Sequence, residues 1–247
     1  MSADLVRLDK FLSASDKMLS RREASEAVRR GRVAIDGKTV TDSKVRVGSS
    51  CSVTLDSEPI FYRRYVYLMM NKPKGTIVAS SDSHGETLVT DFLPGELLRR
   101  GVFPVGRLDR DTTGLLIFTD DGSSAHRALS PKSHVSKTYA FECTPPLTEA
   151  SRRKIEGGVD IGERDGKGRV ILTAPAKIED GRISVTEGKF HQIKRMFHAA
   201  GHEITSLSRM EFAGISLDLT LEAGGWRYLT DAETSLFTKD DMIKGNF

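Results

Sequence analysis

The residues best placed to do chemistry lie in one segment, Gly106-Arg107-Leu108-Asp109-Arg110-Asp111-Thr112-Thr113-Gly114-Leu115-Leu116. Two carboxylates there sit beside a glycine turn that runs into an apolar strand. A carboxylate at the rim of a buried strand is held rigidly and partly desolvated, as a nucleophile or a metal ligand must be. Residue type and spacing leave three readings. Asp109, Asp111, Thr113, Gly114 and Asp120 fall at positions 1, 3, 5, 6 and 12 of an EF-hand calcium loop. Against calcium, position 12 lacks the bidentate Glu, Ile117 occupies position 9, and the apolar flank reads as strand where a helix is required. Asp111-Thr112-Thr113-Gly114 suggests an aspartic protease, but no second such segment supplies the carboxylate that would share its proton. In the third reading the carboxylates only cap a hairpin.

Several elements must position this segment. Leu115-Leu116-Ile117-Phe118 reads as a buried strand bracketed by Gly114 and Thr119-Asp120-Asp121-Gly122. Tyr65 to Met70 reads as a second strand, ending in Asn71-Lys72-Pro73-Lys74-Gly75, a turn expected to expose Lys72 and Lys74. His191 to Gly201 reads as a helix in which Ile193, Met196, Phe197 and Ala200 face the core. Lys194, Arg195 and His198 are then left toward its edges, available to a carboxylate or a phosphate. His198 and His202 have zinc-like spacing, but Gly201 caps the helix and breaks the face that a metal would need. The glycines of Gly162-Glu163-Arg164-Asp165-Gly166-Lys167-Gly168 lack Walker spacing and predict a hairpin tip.

With 247 residues, 38% of them hydrophobic, the chain can bury one substantial core and a small second one. The apolar runs are too short to cross a membrane and the N-terminus carries no apolar signal segment, which predicts a cytoplasmic protein. Cys51 and Cys143 are too far apart for a Cys-x-x-Cys site, so both are expected as packed thiols. Net charge is only +3 and the pI about 8.8. The distribution is more telling: from Lys10 to Val33, seven basic residues including Lys17, Arg21, Arg22, Arg29, Arg30 and Arg32 face three acidic ones, Asp16, Glu23 and Glu26. Ser20 and Glu23 form a capping-box pattern that starts a helix at Arg21, and Gly31 stops it after Arg30. Ala24, Ala27 and Val28 share its apolar face. Asp36-Gly37 between Val33-Ala34-Ile35 and Lys38-Thr39-Val40 predicts a hairpin, with further short strands around Val45 to Leu55.

The order Arg7-Leu8-Asp9-Lys10-Phe11-Leu12, Ser20-Arg21-Arg22-Glu23-Ala24 and Gly31-Arg32-Val33-Ala34-Ile35-Asp36-Gly37-Lys38 resembles the S4 RNA-binding domain. The resemblance implies a grip on folded RNA through phosphates and shape, with Arg21, Arg22, Arg29, Arg30 and Arg32 as contacts. Asn71-Lys72-Pro73-Lys74-Gly75, the Asp109 segment, Lys137-Thr138-Tyr139 and Glu187-Gly188-Lys189-Phe190-His191-Gln192-Ile193-Lys194-Arg195-Met196-Phe197 together resemble the ribosomal small-subunit pseudouridine synthase family. That resemblance runs to Gly225-Trp226-Arg227-Tyr228-Leu229-Thr230.

The second resemblance implies that a uridine loses its C1′ to N1 bond, that the detached uracil turns, and that C1′ joins C5. It gives Asp109 the role of the carboxylate that attacks C1′ or C6 or stabilises positive charge at C1′. Lys194 is the cation that keeps Asp109 ionised, and Tyr139 is the ring against the uracil face, its phenol placed to help remove the C5 proton. Arg107 fills the gap left by the flipped base, the alternative being an ion pair with Asp82 or Asp91. Lys72, Lys74 and Arg195 are expected at RNA phosphates, and Leu207 packs the floor of the site. Asp111 is expected to fix the loop through backbone hydrogen bonds, and His191 to be a packing histidine. The fold expected is α+β: an S4-like module at residues 1–58, then a catalytic domain at 65–240 on a mostly antiparallel mixed sheet flanked by helices. The expected function is isomerisation of uridine in 16S ribosomal RNA by a cytoplasmic monomer without cofactor or metal. A large-subunit enzyme of the same family and an RNA-binding assembly factor with little activity are the alternatives.

Overall fold

The computed structural model describes residues 5–15, 19–48, 51–79 and 85–238. Asp16 and Lys17 of the N-terminal charge tally, Asp82, and the expected domain end at residue 240 lie outside them. The chain divides into two compact units, Met1–Val66 with Pro94–Val102, and Tyr67–Leu93 with Phe103–Phe247.

In the first unit, the helix Arg21–Arg29 starts with the anticipated capping box, Ser20 and Glu23 each satisfying the other's backbone N–H. Ala24, Ala27 and Val28 are buried against Leu8, Phe11 and Leu12 of the helix Leu8–Ser13. Asp36 and Gly37 both take positive φ, the twist a two-residue hairpin needs, and pair Val33–Ile35 with Lys38–Val40. The sheet runs Lys38–Val40, Val33–Ile35, Val53–Leu55, Glu58–Ile60, all antiparallel. It continues past residue 58 because Ile60 is buried in the same core.

The second unit is built on a sheet of nine strands among the described residues. Its main path runs Lys177–Glu179, Arg182–Val185, Lys137–Thr144, Glu203–Phe212, Thr113–Thr119, Tyr67–Lys72, Trp226–Tyr228. Every neighbouring pair is antiparallel except Glu203–Phe212 with Thr113–Thr119. Leu115 through Phe118 and Leu68 through Met70 are buried on both faces, which is why these strands read as continuous apolar runs rather than alternating ones. At the lone parallel junction Gly114 has φ +94°, and a Cβ there would lie 2.3 Å from the Arg209 carbonyl oxygen. Only glycine lets the two strands approach so closely. The Asp109 loop therefore emerges beside the strand that carries Leu207 and Arg209.

Candidate active site

Three elements converge on a cavity of about 640 Å³. The Gly106–Thr112 loop supplies Asp109, the helix Gln192–Ala199 supplies Lys194, and the paired strands Lys137–Thr144 and Glu203–Phe212 supply Tyr139 and Leu207. A register shift between Thr138 and Tyr139 sets Tyr139 opposite Arg209 and leaves Met210 unpaired in that ladder. Such a bulge re-aims a side chain, and here Tyr139, though mostly buried, lines the cavity with Leu207.

Asp109 is 29% exposed in its side chain, and its two oxygens have different neighbours. Lys194 Nζ lies 3.1 Å from Oδ2 and His191 Nε2 lies 3.4 Å from Oδ1. Lys194 also donates to Asp111 Oδ1 at 2.5 Å. Burial opposes the charge on Lys194, but the carboxylates of Asp111 and Asp109 outweigh it and hold the ammonium above its ordinary value. Burial likewise works against the Asp111 charge, and the Lys194 bond reverses that effect and keeps the carboxyl below its usual range. One cation thus bridges both carboxylates of the segment.

Several expectations need correction. Asp111 does more than fix the loop through backbone hydrogen bonds: its carboxylate, which also accepts from its own backbone N–H, pairs with Lys194. His191 is not a packing residue: it is 42% exposed, stacks on Phe190 at 3.8 Å between ring centroids, and faces Asp109. Lys72 is not an exposed phosphate contact. It is fully buried, and its ammonium donates to the carbonyls of Pro73, Arg110 and Thr112 at 3.1, 3.4 and 3.0 Å. Burial pushes its pKa down to about 8, with Asp111 and Asp109 partly opposing the shift. Arg195 is also occupied, donating to the carbonyls of Phe190 and Ile161 beside the Glu163 carboxylate. Both were expected to be free because each lies beside a turn or on a polar helix face, and neither position reveals backbone carbonyls folded over from elsewhere in the chain.

Lys74 is exposed, and Arg107 is exposed at the cavity wall with no ion pair among the described residues. Asp91, one alternative partner for Arg107, instead accepts from the Leu88 N–H at 2.8 Å. In the basic helix of the first unit, Arg22 and Arg29 are exposed without ion pairs among the described residues. Arg21 lies 3.6 Å from Asp9, Arg30 pairs with Glu26, and Arg32 with Asp56.

Sequence reasoning passed over Gln192, Lys137 and Arg209. Gln192 is buried, accepts from the Lys189 N–H at 3.0 Å and donates to Glu187 at 2.9 Å, fixing the loop that enters the Lys194 helix. Lys137 and Arg209 line the cavity on the same strands as Tyr139 and Leu207. Their i, i+2 spacing from those residues was the available signal. Among the described residues no group of His, Cys, Asp and Glu could hold a metal ion.

The RNA pseudouridylate synthase family matches residues 66–199, and the S4 domain matches residues 6–50. The chain belongs to the pseudouridine synthase family. It is 41% identical to the uncharacterized RNA pseudouridine synthase YtzG of Bacillus subtilis, over 95% of this chain and 99% of the relative. It is 34% identical to ribosomal small subunit pseudouridine synthase A of Escherichia coli, covering 92% and 98% of the two chains. Identity is 35% with ribosomal large subunit pseudouridine synthase B of Bacillus subtilis, covering 92% and 93%. A crystal structure of a pseudouridylate synthase matches with a TM-score of 0.64 and 33% identity, over 94% of this chain and all of the other. As a pseudouridine synthase the protein is an isomerase with an RNA-binding S4 domain preceding its catalytic domain. No described helix is long and apolar enough to cross a membrane.

Proposed function

We propose that the protein isomerises a specific uridine of small-subunit ribosomal RNA to pseudouridine in the cytoplasm, acting as a monomer through Asp109. The observation that carries this reading is the Asp109 carboxylate held between Lys194 and His191 in a cavity walled by Tyr139. A flipped uridine enters with its base against Tyr139 and Leu207 and its C1′ toward Asp109. Lys194 pairs with the carboxylate as the C1′ to N1 bond breaks, by attack on C1′ or by stabilisation of the charge there. Asp111 shares that cation, so Lys194 stays protonated while Asp109 reacts. Arg107, exposed beside the cavity, is placed to occupy the gap the uridine leaves, and Lys74 and the basic helix of the S4 domain supply phosphate contacts. Identity to the small-subunit enzymes over nearly the full chain supports that choice of RNA, while the large-subunit relative of similar identity supports the other.

Tritium release from 5-tritiated uridine separates these readings, because bond formation at C5 must expel that hydrogen. The expected result is release from small-subunit RNA, free or partly assembled, by the wild type and none by Asp109→Asn. Release from large-subunit RNA alone would move the substrate. Release from neither RNA would leave an RNA-binding protein. Release by Asp109→Asn at the wild-type rate would remove Asp109 from the chemistry.

A further inference from the structure

Two cations that the preceding account does not use line the cavity. Arg209 is only 3% exposed, on the central strand Glu203–Phe212. Its Nε donates to the Leu115 carbonyl at 2.7 Å, but Nη2 is buried without any hydrogen-bond partner among the described residues. Lys137 donates to the Val135 carbonyl at 2.8 Å. Both cations stand over the Phe212 ring, Arg209 Cζ at 4.9 Å and Lys137 Nζ at 5.6 Å from its centroid. Neither has a carboxylate partner among the described residues. Burial pushes Lys137 down to about 8, and the like charge of Arg209 pushes it further the same way.

A buried arginine with an orphaned donor and a half-buried lysine beside it, with no anion between them, are costly to the fold unless a ligand supplies negative charge. Position selects that ligand. Arg209 is the strand partner of Tyr139, and Lys137 lies two residues from Tyr139 on the same strand. Both are therefore beside the ring proposed to stack on uracil. A phosphate remains attached to the RNA backbone outside the cavity, where Arg107 is exposed on the wall. The base is the part of the substrate that enters the cavity and meets its lining.

We propose that Lys137 and Arg209 form an oxyanion site for the uracil ring, stabilising the negative charge it carries between loss of its bond to C1′ and formation of the new one. The inference rests on the uridine-isomerase reading of the site. When the C1′ to N1 bond breaks, its electron pair stays with the base and is shared among N1, O2 and O4, while Asp109 balances or binds C1′. C5 then donates a pair to C1′, displacing the Asp109 carboxylate with its electron pair wherever it had bound there, the C5 proton leaves, and N1 takes up a proton, so the ring ends neutral. Attack of Asp109 at C6 places the same charge on O4. Donors preset where charge develops act on the barrier more than on binding.

The test is single-turnover consumption of uridine, with enzyme in excess over RNA, for wild type, Lys137→Met, Arg209→Lys and Arg209→Gln. RNA affinity is measured alongside. Lys137→Met is expected to bind RNA within about 3-fold of wild type and to consume bound uridine about 100-fold more slowly, the scale of losing one oxyanion donor. Arg209→Lys should retain more activity than Arg209→Gln. The same assay on RNA carrying 5-fluorouridine discriminates further, since fluorine withdraws charge from the ring and makes it a better leaving group. The Lys137→Met deficit should shrink there by about tenfold or more. A deficit equal on both RNAs would show a merely structural role and overturn the proposal. So would lost affinity with an unchanged bound-state rate, which marks a phosphate contact. Should the Arg209 variants fail to fold, Lys137→Met decides alone. A wild type that consumes no uridine refutes the isomerase reading and this inference with it, whereas an active wild type matched by Lys137→Met refutes the inference only.

Discussion

Replacing Lys72 with Met separates a scaffold lysine from a phosphate contact. The fully buried ammonium holds three carbonyls, and two of them, Arg110 and Thr112, lie on either side of Asp111 in the loop that presents Asp109. Hydrogen bonds from a charged donor contribute about 1.5–3 kcal/mol each, and the 3.4 Å bond to Arg110 belongs at the low end. The variant therefore loses about 5–7 kcal/mol of interaction. Against this, a pKa lowered from 10.5 to about 8 corresponds to about 3 kcal/mol of burial cost that Met does not incur. The net expectation at pH 7 is a loss of about 2–4 kcal/mol in urea unfolding. Linkage adds a sign. Between pH 8 and 10.5 the unfolded chain holds the Lys72 proton and the folded one does not, so wild-type stability gains with rising pH what the variant cannot gain. The gap should widen by about 2 kcal/mol from pH 8 to 9.5. Catalysis should fall about 100-fold if the loop shifts by about 1 Å. A variant of wild-type stability that instead binds RNA more weakly, with a shallower salt dependence, would refute the scaffold role.

Two further perturbations probe the frame. Gly114→Ala, which places a methyl 2.3 Å from the Arg209 carbonyl oxygen, should cost about 3 kcal/mol or more in urea unfolding. Gly101→Ala, also at positive φ but with nothing within 4 Å, should cost only about 1–2 kcal/mol. Glu233→Gln tests the tie between the strand Trp226–Tyr228 and the helix Asp231–Thr238. The Arg227 guanidinium, outweighing burial and joined by the Thr230 N–H, holds Glu233 down to about 2. A depressed carboxyl contributes stability that is fully present above about 4.5 and is lost as pH falls toward 2. The variant should be about 1–3 kcal/mol less stable at pH 7, and the two unfolding curves should converge over that acid window.

Much of the fold was legible because local chemistry and tertiary packing agree. Ser20 and Glu23 needed only each other to start the basic helix, Asp36-Gly37 carried its own turn geometry, and Ile193, Met196 and Phe197 are buried on the face their spacing chose. The expected buried strand at Leu115–Phe118 is the middle of Thr113–Thr119. What could not be read was long-range. The bulge that aims Tyr139, the parallel junction that demands Gly114, and the burial of Lys72 all depend on which strand lies alongside, and no local pattern carries that information.

The lysines of the site make the point sharpest, because identical side chains do different work according to what surrounds them. Lys194 meets two carboxylates and is held charged. Lys72 hydrogen-bonds to backbone carbonyls and to no carboxylate among the described residues, so burial makes its charge costly while its hydrogen bonds brace the Asp109 loop. Lys137 meets another cation, an aromatic face and the Val135 carbonyl, with no carboxylate partner among the described residues. Lys74 meets solvent. Residue type gives the capacity for a positive charge. Whether that charge pairs with a carboxylate, braces a loop, sits over a ring or faces solvent follows from the dielectric and the partners at the end of the side chain. Of the four, the ammonium of Lys137 is the one whose charge bound RNA should stabilise most, since it lines the cavity with a like charge, Arg209, beside it.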